Sequence, residues 1–366
     1  MSESEAPASR PFAGRAERLT QQSERLRFAL VSLAWYSALA LLLAIAAICA
    51  LGIGKYPMTA REIATFLLAS AGLADMPASR YAALHNVIVD IRLPRVAASM
   101  LVGASLASSG AAFQAVFRNP LVSPGLLGVL AGASFGAALG IVLGASWGGV
   151  QWLAFIMGLA AVALGAGIAS LFAGAPLIML VLGGMISSAF FASLLSIVKF
   201  VADPVNELPS IVYWLMGNMA QPDLTQVAQL AGPMLAGVIL LSLLGRSLDV
   251  LSMGDDEARS LGLPVTTVRY GAIGLATLVS ALTVSMAGMI GWVGLIIPHI
   301  ARLMLGASNT RLIPASAMMG AIFLIATDTL ARTMMDSEIP IGILTELVGI
   351  PVFLAVLGRT WRGWNE

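Results

Sequence analysis

Long apolar stretches, separated by short polar ones, run through nearly the whole chain. They fall at about residues 28–53, 93–117, 124–145, 149–172, 176–202, 224–245, 265–287, 289–304, 312–334 and 339–358. Crossing the hydrocarbon core of a bilayer takes about 20 mostly apolar residues of helix. Peptide groups find no water there, so each crossing satisfies its own hydrogen bonds, which leaves helices or closed barrels. The apolar–polar alternation of barrel strands does not occur in these stretches. The chain therefore reads as an all-α integral membrane protein with about ten transmembrane helices. A soluble globular domain is excluded by the same feature, because 58% of the 366 residues are hydrophobic and only 11% are charged.

The polar remainder sets the organisation. Residues 1–27 read as a flexible cytoplasmic tail, 28–359 as a single transmembrane domain and 360–366 as a short cytoplasmic C-terminus. The stretch from Phe28 is too long for a signal-peptide core and reads as a retained first span. With the N-terminus inside, Lys and Arg favour the cytoplasmic side by about two to one, the bias expected of that side. Of the outer connections, Gly54 to Ile91 is long enough to form a surface feature. Ala202 to Pro222 holds an amphiphilic stretch, Leu208 to Met219, too short to span and read as a half-helix dipping against the bundle. Arg246 to Pro264 is a hydrophilic cytoplasmic insertion. A net charge of +1 without a basic run gives no nucleic-acid face. One cysteine, Cys49, and two histidines, His85 and His299, offer neither a disulfide framework nor a protein-built metal site.

Within the spans, Gly132, Gly136, Gly140 and Gly144 recur every four residues and predict a groove for close helix contact, as do Gly103 and Gly110. The methionines read as adaptable filler, with Met216 and Met219 beside Tyr213 and Trp214 the exception that could face a translocated ligand. Two acids lie inside apolar runs, where an ionisable group is costly unless paired. Asp328 stands one helical turn before Arg332 and reads as an internal pair. Glu346 has only Ser337 and Thr345 as local polar company, so a structural and a functional role both stay open. His299 reads as a structural histidine.

RLPRVAASMLVGASLASSGAAFQAVFRNPLVSPGLLG at 92–128, GDDEARSLGLPV at 254–265, GLIIPHIARLMLG at 294–306 and DTLARTMMDSEIPIGILTELVGIPVFLAVLGR at 328–359 together resemble the FecCD family. These are permease subunits of type II ABC importers for ferric siderophores, haem and cobalamin, and the resemblance runs from about residue 40 to 359. It implies two related helical halves, spans two to five (about 93–202) and seven to ten (about 265–358), and a homodimer in the bacterial inner membrane. It further implies two cytoplasmic ABC ATPase subunits and a periplasmic substrate-binding protein as partners. The chain has no GxxxxGK[ST] phosphate loop, so it is expected to be no enzyme and to carry no cofactor, with ATP and Mg bound by the partner ATPase.

The resemblance also assigns residues. Gly254, Asp255, Asp256, Glu257, Ala258, Arg259, Leu261 and Gly262, within the 246–264 segment, match the family's ATPase-coupling helices. Asn119 and Leu121 match its cytoplasmic gate, and Tyr213, Trp214, Met216 and Asn218 flank the outer mouth of its translocation path. Arg332, with Arg61 and Arg80 as looser matches, stands where the binding protein docks. The cargo expected from KFVADPVNELPSIVYWLMGN is an iron chelate, a ferric siderophore or haem, with no metal ligands from the protein; cobalamin ranks second and molybdate or tungstate third. A proton-coupled secondary transporter is the alternative of a different class, since it too would have about ten helices and buried acids.

Overall fold

The computed structural model describes residues 13–172 and 177–362, with side chains over 32–172 and 177–355. Among the described residues there is no strand. The first helix, α1 (Ala13–Gly52), is followed by α2 (Ala60–Ser70), α3 (Ala78–His85), α4 (Leu93–Phe117), α5 (Val129–Val142), α6 (Trp147–Ser170), α7 (Leu177–Val201) and α8 (Glu207–Leu215). Then come α9 (Leu224–Leu243), α10 (Gly245–Met253), α11 (Asp255–Ser260), α12 (Val265–Ala287), α13 (Val293–Leu305), α14 (Asn309–Thr333) and α15 (Ile341–Arg362). By length and composition, 7 of these helical runs can cross a membrane, and three shorter apolar helices accompany them at Val129–Val142, Val293–Leu305 and Ile341–Ala355. Together they take up the ten apolar stretches of the sequence.

Helix α4 is the hub. It carries small or apolar residues on every side, as a helix enclosed by others must, and it packs against α14, α12, α9 and α13. Glycine makes the two closest crossings possible: a side chain at Gly103 would fall on the Gly320 carbonyl of α14, and one at Gly110 on the Gly294 carbonyl of α13. Gly132 and Gly136 do the same for α5 against the Met157 and Leu153 carbonyls of α6. The fourth member of that glycine series does not take part. Gly144 lies past the end of α5 with φ +65° and nothing within 4 Å.

One further expectation is corrected. Residues 1–12 lie outside the described residues, but 13–27, expected to be tail, continue α1 as helix backbone. Segment 54–91, expected to form a surface feature, holds α2, α3 and a π-helical turn, Asn86–Arg92, that runs straight into α4. The hydrophilic 246–264 segment is made by α10 and α11, which break at Gly254 (φ +141°), where a side chain would collide with the Glu257 carboxylate. The half-helix expected at 208–219 is α8, ending at Leu215 because Gly217 adopts φ +76°.

Candidate functional site

Three chain breaks meet inside the bundle. Helix α8 stops before Gly217, α12 stops at Ala287, and the chain re-enters helix only at Val293 and, after Pro340, at Ile341. The breaks are stitched backbone to backbone: Asn218 N–H donates to the Ala287 carbonyl at 2.8 Å, Gly342 N–H to Met216 at 3.0 Å and Ile341 N–H to Gly217 at 3.2 Å. Gly288 (φ +71°) lets the Trp214 carbonyl in, and Gly342 admits that of Met216. Trp292 holds φ +67°, a conformation non-glycine residues seldom adopt. Broken helices at membrane depth are tolerated where protein or a cavity surrounds them, and here two cavities do.

The first, about 290 Å³, lies under α8 and is lined by Tyr213, Trp214, Ser210, Asn218, Gln221 and Trp147 among others. Asn218 Nδ2 donates to Tyr213 Oη at 2.9 Å. Trp214 is buried at 4% exposure, whereas Tyr213 and Met216 are partly exposed. Met216, expected beside this path, is not among the lining residues and serves through its carbonyl. The second cavity, about 320 Å³, lies on the other side of the Gly288–Trp292 break, between Ser123–Gly125, the start of α5, α12, Trp292 and Glu346. Leu130 lines the second cavity and Ile141 the first. On α12 Val284 lines the second and Met286 the first, so the two cavities are neighbours across the break.

The turn that matches the family's gate stands next to the second cavity. Arg118 ends α4 in the left-handed conformation (φ 50°), and Asn119 Oδ1 accepts from Leu121 N–H at 2.9 Å, a local Asx turn that leaves Leu121 54% exposed. Arg118 also reaches the coupling segment: its guanidinium donates to Asp255 and, at 3.1 Å, to the Leu251 carbonyl. Arg269 at the base of α12 donates to the same Asp255 oxygen at 2.6 Å. These hydrogen bonds, from Arg269 first, hold the Asp255 carboxyl below the usual carboxylate range. Of the other residues that match the family's coupling helices, Ala258 is fully buried and anchors α11. Asp256 (94% exposed) and Arg259 (59%) pair at 3.0 Å on its outer face, beside exposed Leu261. Gly262 turns the chain at φ +79°. Asp249 on α10 accepts from Ser308 Oγ at 2.8 Å and Thr310 Oγ1 at 3.0 Å, and from the Asn309 amide, capping α14.

At the opposite end, a buried charge network corrects the reading of Arg332. It is 6% exposed and so presents no docking surface; it donates to the Ala50 carbonyl and lies 3.8 Å from Asp328. The main partner of Asp328 is Arg95, whose Nε approaches its two oxygens at 2.9 and 3.0 Å while Nη1 meets Glu338 at 2.8 Å. Arg92 donates to the Leu51, Gly52 and Tyr56 carbonyls, so that with Arg332 it satisfies the end of α1. Arg80 is engaged with Glu62 and Tyr56, and Arg61 is exposed on α2. The Thr59 amide and Arg80 lower the Glu62 carboxyl to about 2. Sequence reading missed Arg92, Arg95 and Arg269, because nothing local marks a partner that lies far along the chain.

The FecCD transport family model matches residues 42–359. The molybdate import system permease protein MolB of Haemophilus influenzae is 39% identical over 89% of this chain and 95% of its own length. The iron(3+)-hydroxamate import system permease protein FhuB of Bacillus subtilis is 33% identical over 94% and 91%. A solved ABC transporter of metal-chelate type, in an inward-facing conformation, superposes with a TM-score of 0.78 and 37% identity, covering 88% of this chain and 98% of that one.

Proposed function

The chain belongs to the FecCD transport family, and from that premise we propose that it is the membrane-spanning permease subunit of an ATP-driven importer whose cargo is an iron chelate. Two copies would enclose the path, two separate ATPase subunits would bind below, and a substrate-binding protein would deliver cargo above. The observation that carries the cargo reading is the lining of the two neighbouring cavities. They offer aromatic, amide, hydroxyl and backbone groups and one carboxylate, Glu346, and among their lining residues there is no Lys, Arg or His. A bulky chelate brings its own metal ligands and needs no donor cluster from the protein, whereas an oxyanion is held by cations and oriented N–H groups.

The mechanism follows from the connections. The exposed face of α11, with Asp256, Arg259 and Leu261, is the polar knob that an ATPase groove would hold. Closure of the ATPases would move α11 as a rigid piece on its buried Ala258. Asp255 passes that movement directly to Arg118, the residue that ends α4 and opens the gate turn, and to Arg269 at the base of α12. One element is thus tied both to the gate and to the broken helix that separates the cavities. A proton-coupled carrier has no use for this dock, and Asp328, one of the two intramembrane acids it could use, is already held by Arg95.

Molybdate is the second reading, favoured by the identity to the Haemophilus protein. Uptake of labelled ferric hydroxamate, haem and molybdate by cells with and without the chain separates the two. Iron-chelate uptake that depends on the chain supports the proposal, and molybdate uptake alone overturns the cargo.

A further inference from the structure

Glu346 is the one acidic or basic side chain among the lining residues of the cavities at the helix breaks and of the two further cavities between helices. It lies on α15, in an apolar run, and enters no ion pair among the described residues. Its carboxylate points at the break: Oε1 is 3.7 Å from where a side chain at Gly291 would begin. The cavity it faces is the one bounded by Ser123, Pro124 and Gly125, directly after the gate turn. An unpaired carboxylate inside a bilayer is stable only where water reaches it, and acids so placed mark solute pathways.

We propose that Glu346 sets the charge preference of the compartment just above the gate, admitting solutes that present hydrogen-bond donors or positive charge and rejecting oxyanions. The carboxylate accepts from hydroxyl, amide or ammonium groups on the face of a passing chelate and raises the local concentration of cations. The cargo named by this inference rests on the permease reading above, but the placement and sign of the compartment do not.

The test uses the full chain with its single cysteine removed (Cys49→Ala) and a near-isosteric reporter, Ser123→Cys, in the same cavity. Rates of modification by a cationic and an anionic methanethiosulfonate are compared in detergent-solubilised, monodisperse protein. The ratio of cationic to anionic rate is expected to fall by about fivefold or more in Glu346→Gln, as one charge is removed from a confined site, and to be restored in Glu346→Asp. An unchanged ratio in Glu346→Gln, or a reporter that neither reagent reaches, overturns the inference. Failure of the permease reading shows separately, as absent chain-dependent uptake of any ferric chelate beside an intact rate ratio.

Discussion

Removing the charge of Asp328 is expected to cost more than any other single polar change in the bundle. The carboxylate is 2% exposed and lies between two guanidiniums whose side chains are 9% and 7% exposed. Breaking a buried pair by deleting one partner costs about 3–5 kcal/mol, because the survivor stays buried without its counter-charge. In Asp328→Asn, Arg95 keeps Glu338 at 2.8 Å, but Arg332 keeps only the Ala50 carbonyl. One arginine, not two, is stranded, which places the loss near about 3 kcal/mol. The double variant Asp328→Asn with Arg332→Met removes the stranded charge and should recover about 2 kcal/mol of it, the size of coupling expected for residues in one network. Unfolding in mixed micelles, followed by circular dichroism, reads both values. A single-variant cost below about 0.5 kcal/mol, or strict additivity, would refute the claim that this trio is shielded from water.

Other outcomes follow from the same contacts. Gly110→Ala forces α4 off α13 and should cost about 1–3 kcal/mol, whereas Gly271→Ala, in α12 with nothing within 4 Å, should stabilise by about 0.5–1 kcal/mol; thermal unfolding in detergent compares them. Asp255→Asn weakens the bonds to Arg118 and Arg269, by about 1 kcal/mol after solvent screening, so cargo moved per ATP hydrolysed should fall while hydrolysis persists, measured in proteoliposomes holding the complete transporter. The Glu62 carboxyl, at about 2 when folded against 4.5 free, stabilises the α2–α3 surface above pH 4.5 and loses that contribution as pH falls through 2. Pepsin cleavage between residues 60 and 85 should therefore accelerate across that window in the native chain, and Glu62→Gln should cleave rapidly throughout it.

Features governed by local sequence were legible in advance. Apolar length located the spans, Gly217 ended the half-helix near its expected end, and the four-residue spacing of Asp328 and Arg332 marked an internal pair. Long-range geometry was not legible. Arg95 is separated from Asp328 by 233 residues, and no spacing within the chain marks so distant a partner. Arg332, near a helix end, looked like surface and is buried, because the carbonyl end of α1 needs donors there. The link between the turn after α4 and helix α11 depends on Arg118 and Asp255, 137 residues apart, and only the fold joins them. The glycine series misled at its last member because Gly144 itself ends α5: it turns left-handed at φ +65°, and the Ala145 amide closes the helix on the Gly140 carbonyl at 2.9 Å.

The central claim is that this chain lets an iron chelate through at the expense of ATP hydrolysed by a partner, and one uptake panel tests it. Cells with and without the chain are given labelled ferric hydroxamate, haem, cobalamin and molybdate, each with and without vanadate to arrest ATPase turnover. Chain-dependent uptake of an iron chelate that vanadate abolishes is the expected result; chain-dependent uptake that vanadate leaves intact would contradict an ATP-driven importer.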